Sequence, residues 1–452
     1  MQKKKQTDKD LALERKSGWE QLKGKDKEIN AYSKEYISFI SDVKTEREAV
    51  SYIKERLKGK RGIYSIENRK KAIAVCRKGN LPLSEGLRII VAHLDSPRLD
   101  LKVNPLYEDT DLVMLKTHYY GGIKKYQWLA RPLALHGVVI KKDGGLIHIE
   151  IGEDEKDPCF TIEDLLPHLA GKAQYNKNLK DAFQGEKLNI IFGSIPDLKA
   201  KDGKVKKNIL QLLHKKFGII EEDFVSADLE VVPAGPAREI GIDSSLIGAY
   251  GHDDRICVWA ALKALMDAKK PPFTAIALLV DKEEIGSEGN TGAKSRFIEE
   301  VLWEISERFK EDIIPTKTLY RSKALSGDVN GAFDPEYPDV HEKTNAAKLG
   351  YGVCITKFTG SRGKSGASEA SAEYMGWIRA ILNQRNIPWQ TGELGKVDEG
   401  GGGTVAKYLA EYGMDIVDIG PALLSMHAPF ELASKVDAYA TYLAYLAFME
   451  EK

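Results

Sequence analysis

AIALLVDKEE, at residues 275–284, is the stretch of this sequence that decides the fold. Its apolar run, Ala275–Val280, has no polar alternation, and such a run is typical of a strand buried on both faces of a parallel sheet. The strand ends abruptly because the charged residues DKEE follow at once. The apolar strand Leu87–Ala92 ends in the same way, in HLD at 93–95. The sequence therefore predicts a sheet whose strands carry polar side chains at their carboxyl ends.

Strands and helices alternate on both sides of this stretch. The helical pattern Ser17–Lys58 precedes it, and the strand Asp415–Ile419 and a helix from about Leu432 close the chain. Such alternation is typical of an α/β fold, and we predict a mixed, largely parallel sheet sandwiched by helices.

Residues 103–232 have a different character. Short strand-like runs, such as Leu135–Ile140 and Leu146–Ile151, are separated by glycine pairs and lysines, as in an all-β unit. We therefore predict a mainly β domain inserted into a discontinuous α/β domain of residues 1–102 and 233–452.

The composition excludes several classes of partner. The 452 residues include 67 Lys and Arg and 67 Asp and Glu, a balance that argues against nucleic acid or an anionic membrane as the main partner. No stretch approaches the roughly 18–20 apolar residues of a membrane span. The basic N-terminus lacks the apolar region of a secretory signal, so we expect a cytoplasmic protein.

The sequence also argues against three other kinds of site: a cysteine-based site, a serine nucleophile and a nucleotide-binding loop. The four cysteines are scattered without a C-x-x-C pair, so we expect reduced thiols rather than disulfides or a thiolate zinc site. The chain has no G-x-S-x-G elbow and no P-loop, and the run Gly400–Gly403 is only a glycine-rich loop.

Acids and histidines gather where predicted strands end and helices begin. In open α/β sheets the ligand crevice lies at the carboxyl ends of strands, so residues distant in sequence converge there. Several carboxylates buried together repel one another unless cations are present. Imidazole and carboxylate without thiolate suit zinc, cobalt or manganese. The candidates are His93, Asp95, Asp253, Asp254, Glu283, Glu284 and His427.

Each of these signals has an ordinary explanation when taken alone. An Asp-Asp pair before a helix is most often an N-cap, a Glu-Glu pair is usually solvated, and a histidine in a loop is usually no ligand. His252, beside Asp253, is a ligand or a packing histidine, and Asp254 is a cap or an outer partner. Asp328, in a Gly-Asp-Val-Asn sequence, is also good turn chemistry. Only the joint placement of these residues favours a metal site.

Five longer motifs give the chain a resemblance to a known family. The motifs are VAHLDSPRLDLK (91–102), GHDDRICVWAALKAL (251–265), DKEEIGSEG (281–289), SGDVNGAFDPEY (326–337) and SMHAPFE (425–431). With them the sequence resembles the aspartyl aminopeptidase family, which includes vacuolar aminopeptidase I and belongs to the co-catalytic dizinc metallo-aminopeptidases. The motifs occur in the family's order and cover nearly the full chain.

The resemblance implies two divalent ions per subunit, zinc or otherwise cobalt or manganese. Glu283 would be the general base and Asp95 would orient His93. A hydroxide held between the ions would attack the scissile carbonyl, while Glu283 carries the proton to the leaving amine. The implied ligands are His93 and Asp328 for one ion, Asp253 between the two ions, and Glu284 and His427 for the other.

The resemblance also concerns the inserted segment and the assembly. His168, in LLPHLAGK, matches a family histidine that enters the neighbouring subunit's active site and contacts the substrate, although the residues alone favour an ordinary surface histidine. It implies a dimerisation and substrate-capping domain at 103–232, and a homo-oligomer that is a dodecamer built from dimers. Substrates would be peptides with acidic or neutral N-terminal residues. Lys357, Arg362 and Lys364 leave that preference open, because their segment departs from the form associated with acidic specificity.

Three functions are compatible with these residues. The leading hypothesis is a metallo-aminopeptidase that acts on the N-terminal residue of peptides. The alternative is a two-metal carboxypeptidase or deacylase of the same fold. A third is a non-catalytic assembly or cargo protein with a degenerate site, against which the intact set of candidate ligands argues.

Overall fold

The structure, a computed structural model, describes residues 11–452 as a mixed α/β protein. The strands are β1 (Ile63–Asn68), β2 (Ala72–Arg77), β3 (Leu87–His93), β4 (Arg98–Asp109), β5 (Leu112–Tyr120), β6 (Leu133–Ile140), β7 (Leu146–Ile151), β8 (Ile190–Gly193), β9 (Ala227–Pro233), β10 (Arg238–Ile240), β11 (Leu246–Ala249), β12 (Thr274–Val280), β13 (Lys323–Ser326), β14 (Asn330–Gly331), β15 (Val353–Thr356), β16 (Gly360–Ser361), β17 (Trp389–Thr391), β18 (Gly401–Gly402), β19 (Asp415–Gly420), β20 (Ala422–Leu424) and β21 (Glu431–Ser434). The helices are α1 (Gly18–Gln21), α2 (Asp26–Asp42), α3 (Glu46–Leu57), α4 (Leu179–Ala182), α5 (Lys204–Phe217), α6 (His252–Asp267), α7 (Phe297–Phe309), α8 (Pro315–Arg321), α9 (Ala372–Gln384), α10 (Ala406–Ala410) and α11 (Lys435–Glu450).

The largest sheet confirms the predicted α/β fold. Its eight strands lie in the order β1-β2-β12-β3-β13-β19-β15-β17. The four central strands β12, β3, β13 and β19 are parallel, whereas β2 and β15 flank them in antiparallel pairings. The apolar run predicted at 275–280 lies within β12, where every residue is buried. Three adjacent parallel pairings bring the carboxyl ends of these central strands to one edge.

Helices cover both faces of this sheet, which explains the unbroken apolar runs. In β12, Ala275 and Leu279 pack in one core cluster with α2, α3, α6, α9 and α11. Ile276 and Val280 point to the opposite face and pack with α7, α8 and α10. Because successive side chains of a strand alternate in direction, a strand between two helical layers has to be apolar at every position.

Two predicted element boundaries need correction. The helical stretch 17–58 is interrupted before Thr45, because Thr45 and Glu48 form a capping box that starts α3 as a new helix. The last helix begins at Lys435 rather than near Leu432, because residues 431–434 form β21, which pairs with β11 and β20. A short apolar run before a helix does not reveal such a strand when its partners are remote in sequence.

A second, six-stranded sheet is built from residues between Arg98 and Pro233. Its order is β7-β6-β9-β4-β5-β8, with antiparallel pairing throughout. The predicted strands Leu135–Ile140 and Leu146–Ile151 lie within β6 and β7. A separate core, with Trp128 at its centre, packs against this sheet. A domain division at 103–232 stays a prediction that this arrangement favours.

The helices and cysteines of the described residues also bear on the expectations from the sequence. Between residues 11 and 452, no helix combines the length and apolar character that crossing a bilayer requires. The four cysteines are free thiols, and three of them are buried.

Candidate metal centre

A cavity of about 550 Å³ opens at the carboxyl ends of the central parallel strands. Glu283 and Glu284 follow β12, and Asp328 follows β13. Asp253 begins α6, and His427 lies in the loop between β20 and β21. These five side chains all line the cavity, so the strand-end argument brings together groups separated by up to 174 positions.

Asp253 lies at the centre of the cluster. Its Oδ1 is 3.1 Å from Nε2 of His93, and its Oδ2 is 3.2 Å from Nε2 of His427. Oε2 of Glu284 is 3.5 Å from the same His427 nitrogen. Ligand atoms of His93, Asp253 and Glu284 lie within 4.8 Å of one another. One carboxylate between two imidazoles is the arrangement expected of a ligand that bridges two ions.

Asp328 and Asp254 both approach Asp253 from another side. One carboxylate oxygen from each of the three acids lies within 4.8 Å of the others. Oδ2 of Asp254 accepts the backbone N–H of His93 at 3.2 Å, which agrees with an outer partner rather than a ligand. Burial, together with repulsion from Glu283 and Asp253, raises the pKa of Asp328 well above its usual range.

Both candidate histidines have their Nδ1 atom fixed by a backbone carbonyl oxygen. Nδ1 of His93 donates to the carbonyl oxygen of Asp95 at 3.0 Å, and Nδ1 of His427 donates to the carbonyl oxygen of Gly122 at 2.8 Å. A carbonyl oxygen can only accept, so each Nδ1 carries a proton. Each Nε2 faces Asp253 and donates a hydrogen bond to it. With metal bound, the same Nε2 atoms would be neutral and could be ligands, because Nδ1 is already taken by a carbonyl oxygen.

The electrostatics are those of a site built for cations. Burial raises the pKa of Glu283 to about 7 and that of Glu284 well above the usual range, and repulsion from Asp253 adds to both shifts. Burial opposes the charged form of His427, but its hydrogen bond to Asp253 prevails and its pKa rises to about 10. Divalent cations beside these groups would favour the ionised acids and the neutral imidazoles.

Buried oxygens without partners support the same conclusion. Among the described residues, Oδ1 of Asp254 and Oε1 of Glu284 accept no hydrogen bond although solvent cannot reach them. A buried carboxylate oxygen without a donor is costly, and a divalent ion would satisfy it. The donors are imidazole nitrogens and carboxylate oxygens without thiolate, a set that fits zinc and also cobalt or manganese.

Asp95 contacts three residues of the cluster, namely His93, Glu283 and Glu284. Besides the contact of its carbonyl with His93, its carboxylate accepts the backbone N–H groups of Glu283 at 3.1 Å and Glu284 at 3.2 Å. Its Oδ1 is also 3.4 Å from Nδ1 of His93. One buried side chain therefore orients a histidine and the whole Glu-Glu pair.

Glu431 is a functional residue that sequence reasoning missed. Its carboxylate accepts the N–H of Asp253 at 3.1 Å and the N–H of His427 at 2.6 Å. It lies inside the SMHAPFE motif, so a signal was present, but nothing local indicates that this strand residue also holds the backbone of Asp253, 178 positions away.

Two loops that pair with each other line part of the cavity. β16 pairs with β18, and Gly360 and the glycine run 400–403 line the cavity, so the glycine-rich loop has a place in the site that its composition did not suggest. Arg362 and Lys364 line the cavity, and Lys364 is 3.0 Å from Glu369.

Two other histidines lie outside the cluster. His252 is buried and bonded to the hydroxyl of Tyr36 at 2.6 Å and to the carbonyl of Ile247 at 3.0 Å, so it is a packing histidine. His168 is exposed in the short turn Pro167–Leu169 and does not line the cavity of its own chain.

Comparisons with known proteins identify a family. Residues 39–449 match the model of the aminopeptidase I zinc metalloprotease family, M18. A probable M18 family aminopeptidase 1 of Clostridium acetobutylicum is 49% identical, over 97% of this chain and 99% of its own length. The corresponding Thermotoga maritima protein is 48% identical, over 98% of this chain and 100% of its own.

Solved structures are similar along nearly the whole chain. An M18 family aminopeptidase of Thermotoga maritima superposes with a TM-score of 0.94 at 47% identity, covering 98% of this chain and 100% of its own. The Saccharomyces cerevisiae mApe1 dodecamer gives a TM-score of 0.74 at 20% identity, covering 93% and 97%, which is a likeness of fold alone.

Proposed function

Because the chain belongs to the aminopeptidase I zinc metalloprotease family, M18, and is a metallo-aminopeptidase, we propose that it hydrolyses the N-terminal residue of peptides with two divalent ions and a glutamate base. The observation that carries this proposal is the position of Asp253, whose two oxygens lie 3.1 Å and 3.2 Å from the Nε2 atoms of two different histidines. A carboxylate in that position suits a pair of ions better than one.

The proposed ligand set follows from which carboxylates face the histidines and the cavity. Asp253 would hold both ions, because each of its oxygens faces a different imidazole. Asp328 is the better candidate than Asp254 to complete the first site, because Asp328 lines the cavity while Asp254 is bonded to the backbone of His93. The proposed sites are His93, Asp253 and Asp328 for one ion, and Asp253, Glu284 and His427 for the other.

Glu283 is the proposed base. When bound, the two ions would polarise the scissile carbonyl and lower the pKa of the attacking water. Glu283 lines the cavity beside Glu284, and Asp95 fixes its backbone N–H, so its carboxylate stays available for proton transfer. It takes a proton from the water as the C–O bond forms and gives that proton to the leaving amine as the C–N bond breaks.

The cavity also bears on the substrate. Its volume of about 550 Å³ suits one or two residues of an extended peptide rather than a folded protein. Four cations line it, which disfavours basic N-terminal residues and supports acidic or neutral ones. The cations are Arg362, Lys364, Lys396 and Lys407.

We further propose a homo-oligomer, a dodecamer built from dimers through the 103–232 domain. The support is the exposed position of His168 between Leu166, 50% exposed, and Leu169, 64% exposed. Such a segment can reach the cavity of a neighbouring subunit, where the imidazole would contact the substrate. The comparison with the yeast dodecamer adds a likeness of fold.

Glu283→Gln tests the assigned base, with Glu288→Gln in the same loop as the matched control. Glu283→Gln is expected to bind two ions per subunit and to lose turnover by several orders of magnitude, whereas the exposed Glu288 should be replaceable. Near-native turnover of Glu283→Gln would refute the base. N-acetylated peptides should resist cleavage, and cleavage of free and blocked peptides at equal rates would instead indicate a carboxypeptidase or deacylase.

A further inference from the structure

One segment of the six-stranded sheet enters the metal centre of its own chain. It is Tyr120-Gly121-Gly122, called the YGG segment below, at the point where β5 ends. It belongs to the sheet that contains none of the proposed ligands. Even so, it contacts groups that support both proposed metal sites.

Tyr120 acts on the first of these groups. Its hydroxyl donates to Oδ2 of Asp95 at 2.8 Å, and this carboxylate also accepts the N–H groups of Glu283 and Glu284. Without the hydroxyl, Asp95 would lose the side-chain donor to that oxygen. A shift of Asp95 would displace both His93, bonded to its carbonyl, and the Glu-Glu backbone.

The ring of Tyr120 is itself fixed. The guanidinium of Arg98 lies 4.0 Å from the ring centroid, close enough for a cation–π contact. Arg98 is only 5% exposed and pairs with Glu46 at 3.3 Å and Glu230 at 3.3 Å. These acids come from α3 and β9. They hold Arg98 in place, and Arg98 in turn holds the ring and hydroxyl of Tyr120.

The glycines act on the second site. The carbonyl of Gly122 accepts Nδ1–H of His427 at 2.8 Å and so fixes the tautomer of a proposed ligand. A Cβ on Gly122 would lie 3.3 Å from that Nδ1. Gly121 has φ +75°, and a Cβ there would lie 3.3 Å from Oε2 of Glu284. The backbone therefore lies so close to both side chains that a methyl group at either glycine would press on them, and the positive φ of Gly121 also favours glycine.

We propose that the YGG segment positions the metal ligands of its own chain, with Tyr120 acting on the first site through Asp95 and Gly122 on the second through His427. The six-stranded sheet is then required for metal binding and turnover within each subunit, apart from any contribution to a neighbour. This inference rests on the proposed ligand set.

The test uses Tyr120→Phe and Gly122→Ala in the full-length chain. Tyr119→Phe is the matched control, because this neighbour is 44% exposed, and Gly376→Ala is the control for an added methyl group with open space around it. The measurements are zinc dissociation constants by competition with a chromophoric chelator, kcat and KM on amino-acid amides, and thermal unfolding of the zinc-free protein.

Tyr120→Phe is expected to lose about 10- to 100-fold in zinc affinity or in kcat, the usual effect of removing an outer-shell partner. KM and the zinc-free unfolding temperature should match those of Tyr119→Phe. Gly122→Ala should weaken one of the two ions and shift the visible absorption of the cobalt-substituted protein. If Tyr120→Phe does not fold, Gly122→Ala alone decides.

Variants that match their controls in zinc affinity, kcat and cobalt absorption would overturn the inference. So would a lower unfolding temperature with unchanged zinc affinity and kcat, because that result indicates a structural role only. A wild-type protein that binds no zinc and cleaves no peptide would overturn the proposed function instead.

Discussion

His136 links the six-stranded sheet to helix α3, and raising the pH should break this link. It lies on β6 with only 2% of its surface exposed. Its Nδ1 is 2.7 Å from Oε1 of Glu48 in α3, and its Nε2 is 3.1 Å from Oε1 of Glu153. Since both nitrogens face carboxylates, both carry protons and the ring is an imidazolium.

The size of the effect follows from the two pKa values. Burial disfavours the charged ring, but the hydrogen bonds to Glu153 and Glu48 prevail and raise the pKa of His136 to about 9. In an unfolded chain the pKa of histidine is about 6.5. The stabilisation is fully present below about pH 6.5 and is lost as the pH rises through about 9. At about 1.4 kcal/mol for each pH unit between the two values, the loss is about 3 kcal/mol.

The assay is urea unfolding of the zinc-free protein between about pH 6 and pH 10, with wild type and His136→Asn compared at each pH. Asn cannot titrate, so the difference in unfolding free energy should shrink by about 3 kcal/mol across this range. His148→Asn, on the paired strand and exposed, is the control and should keep the wild-type slope. A difference between wild type and His136→Asn that does not change with pH would refute this account.

Three further predictions concern the site. Chelation should abolish peptide hydrolysis and lower the thermal stability of the protein, and restored zinc should recover both; activity that survives complete removal of metal contradicts the proposed function. Glu431→Gln keeps the shape of the side chain but leaves one acceptor oxygen for the backbone N–H groups of Asp253 and His427. The lost hydrogen bond costs about 1–3 kcal/mol, so zinc affinity should fall about 10- to 100-fold. An unchanged zinc dissociation constant would contradict this role of Glu431. His168→Ala should retain zinc and fold yet lose turnover. Mixed oligomers of His168→Ala and Glu283→Gln subunits should recover activity, because an intact His168 from one subunit can then serve an intact Glu283 in its neighbour. Mixtures as inactive as their parents would argue against a shared site.

The sequence predicted which side chains gather in the cluster better than it predicted which residues hold them in place. Asp253, Glu283 and Glu284 were expected together because acids that follow or precede regular elements lie at one edge of a parallel sheet. Asp281 follows β12 in the same DKEE run, yet its carboxylate accepts the hydroxyl of Thr291 at 2.7 Å and does not line the cavity. The order of residues along a strand exit does not say which side chain turns inward, because that depends on the packing around it.

The amino-acid sequence by itself determined the main sheet and the residue types of the site. Unbroken apolar runs such as 275–280 can be stable only between two layers of helices, and that pattern is local. The supporting contacts were decided by the tertiary structure. Tyr120 meets Asp95 across 25 positions, and Glu431 meets Asp253 across 178, only because the fold brings their separate elements together. A hydrogen bond depends on distance and direction in space, and neither is written in the separation of two residues along the chain.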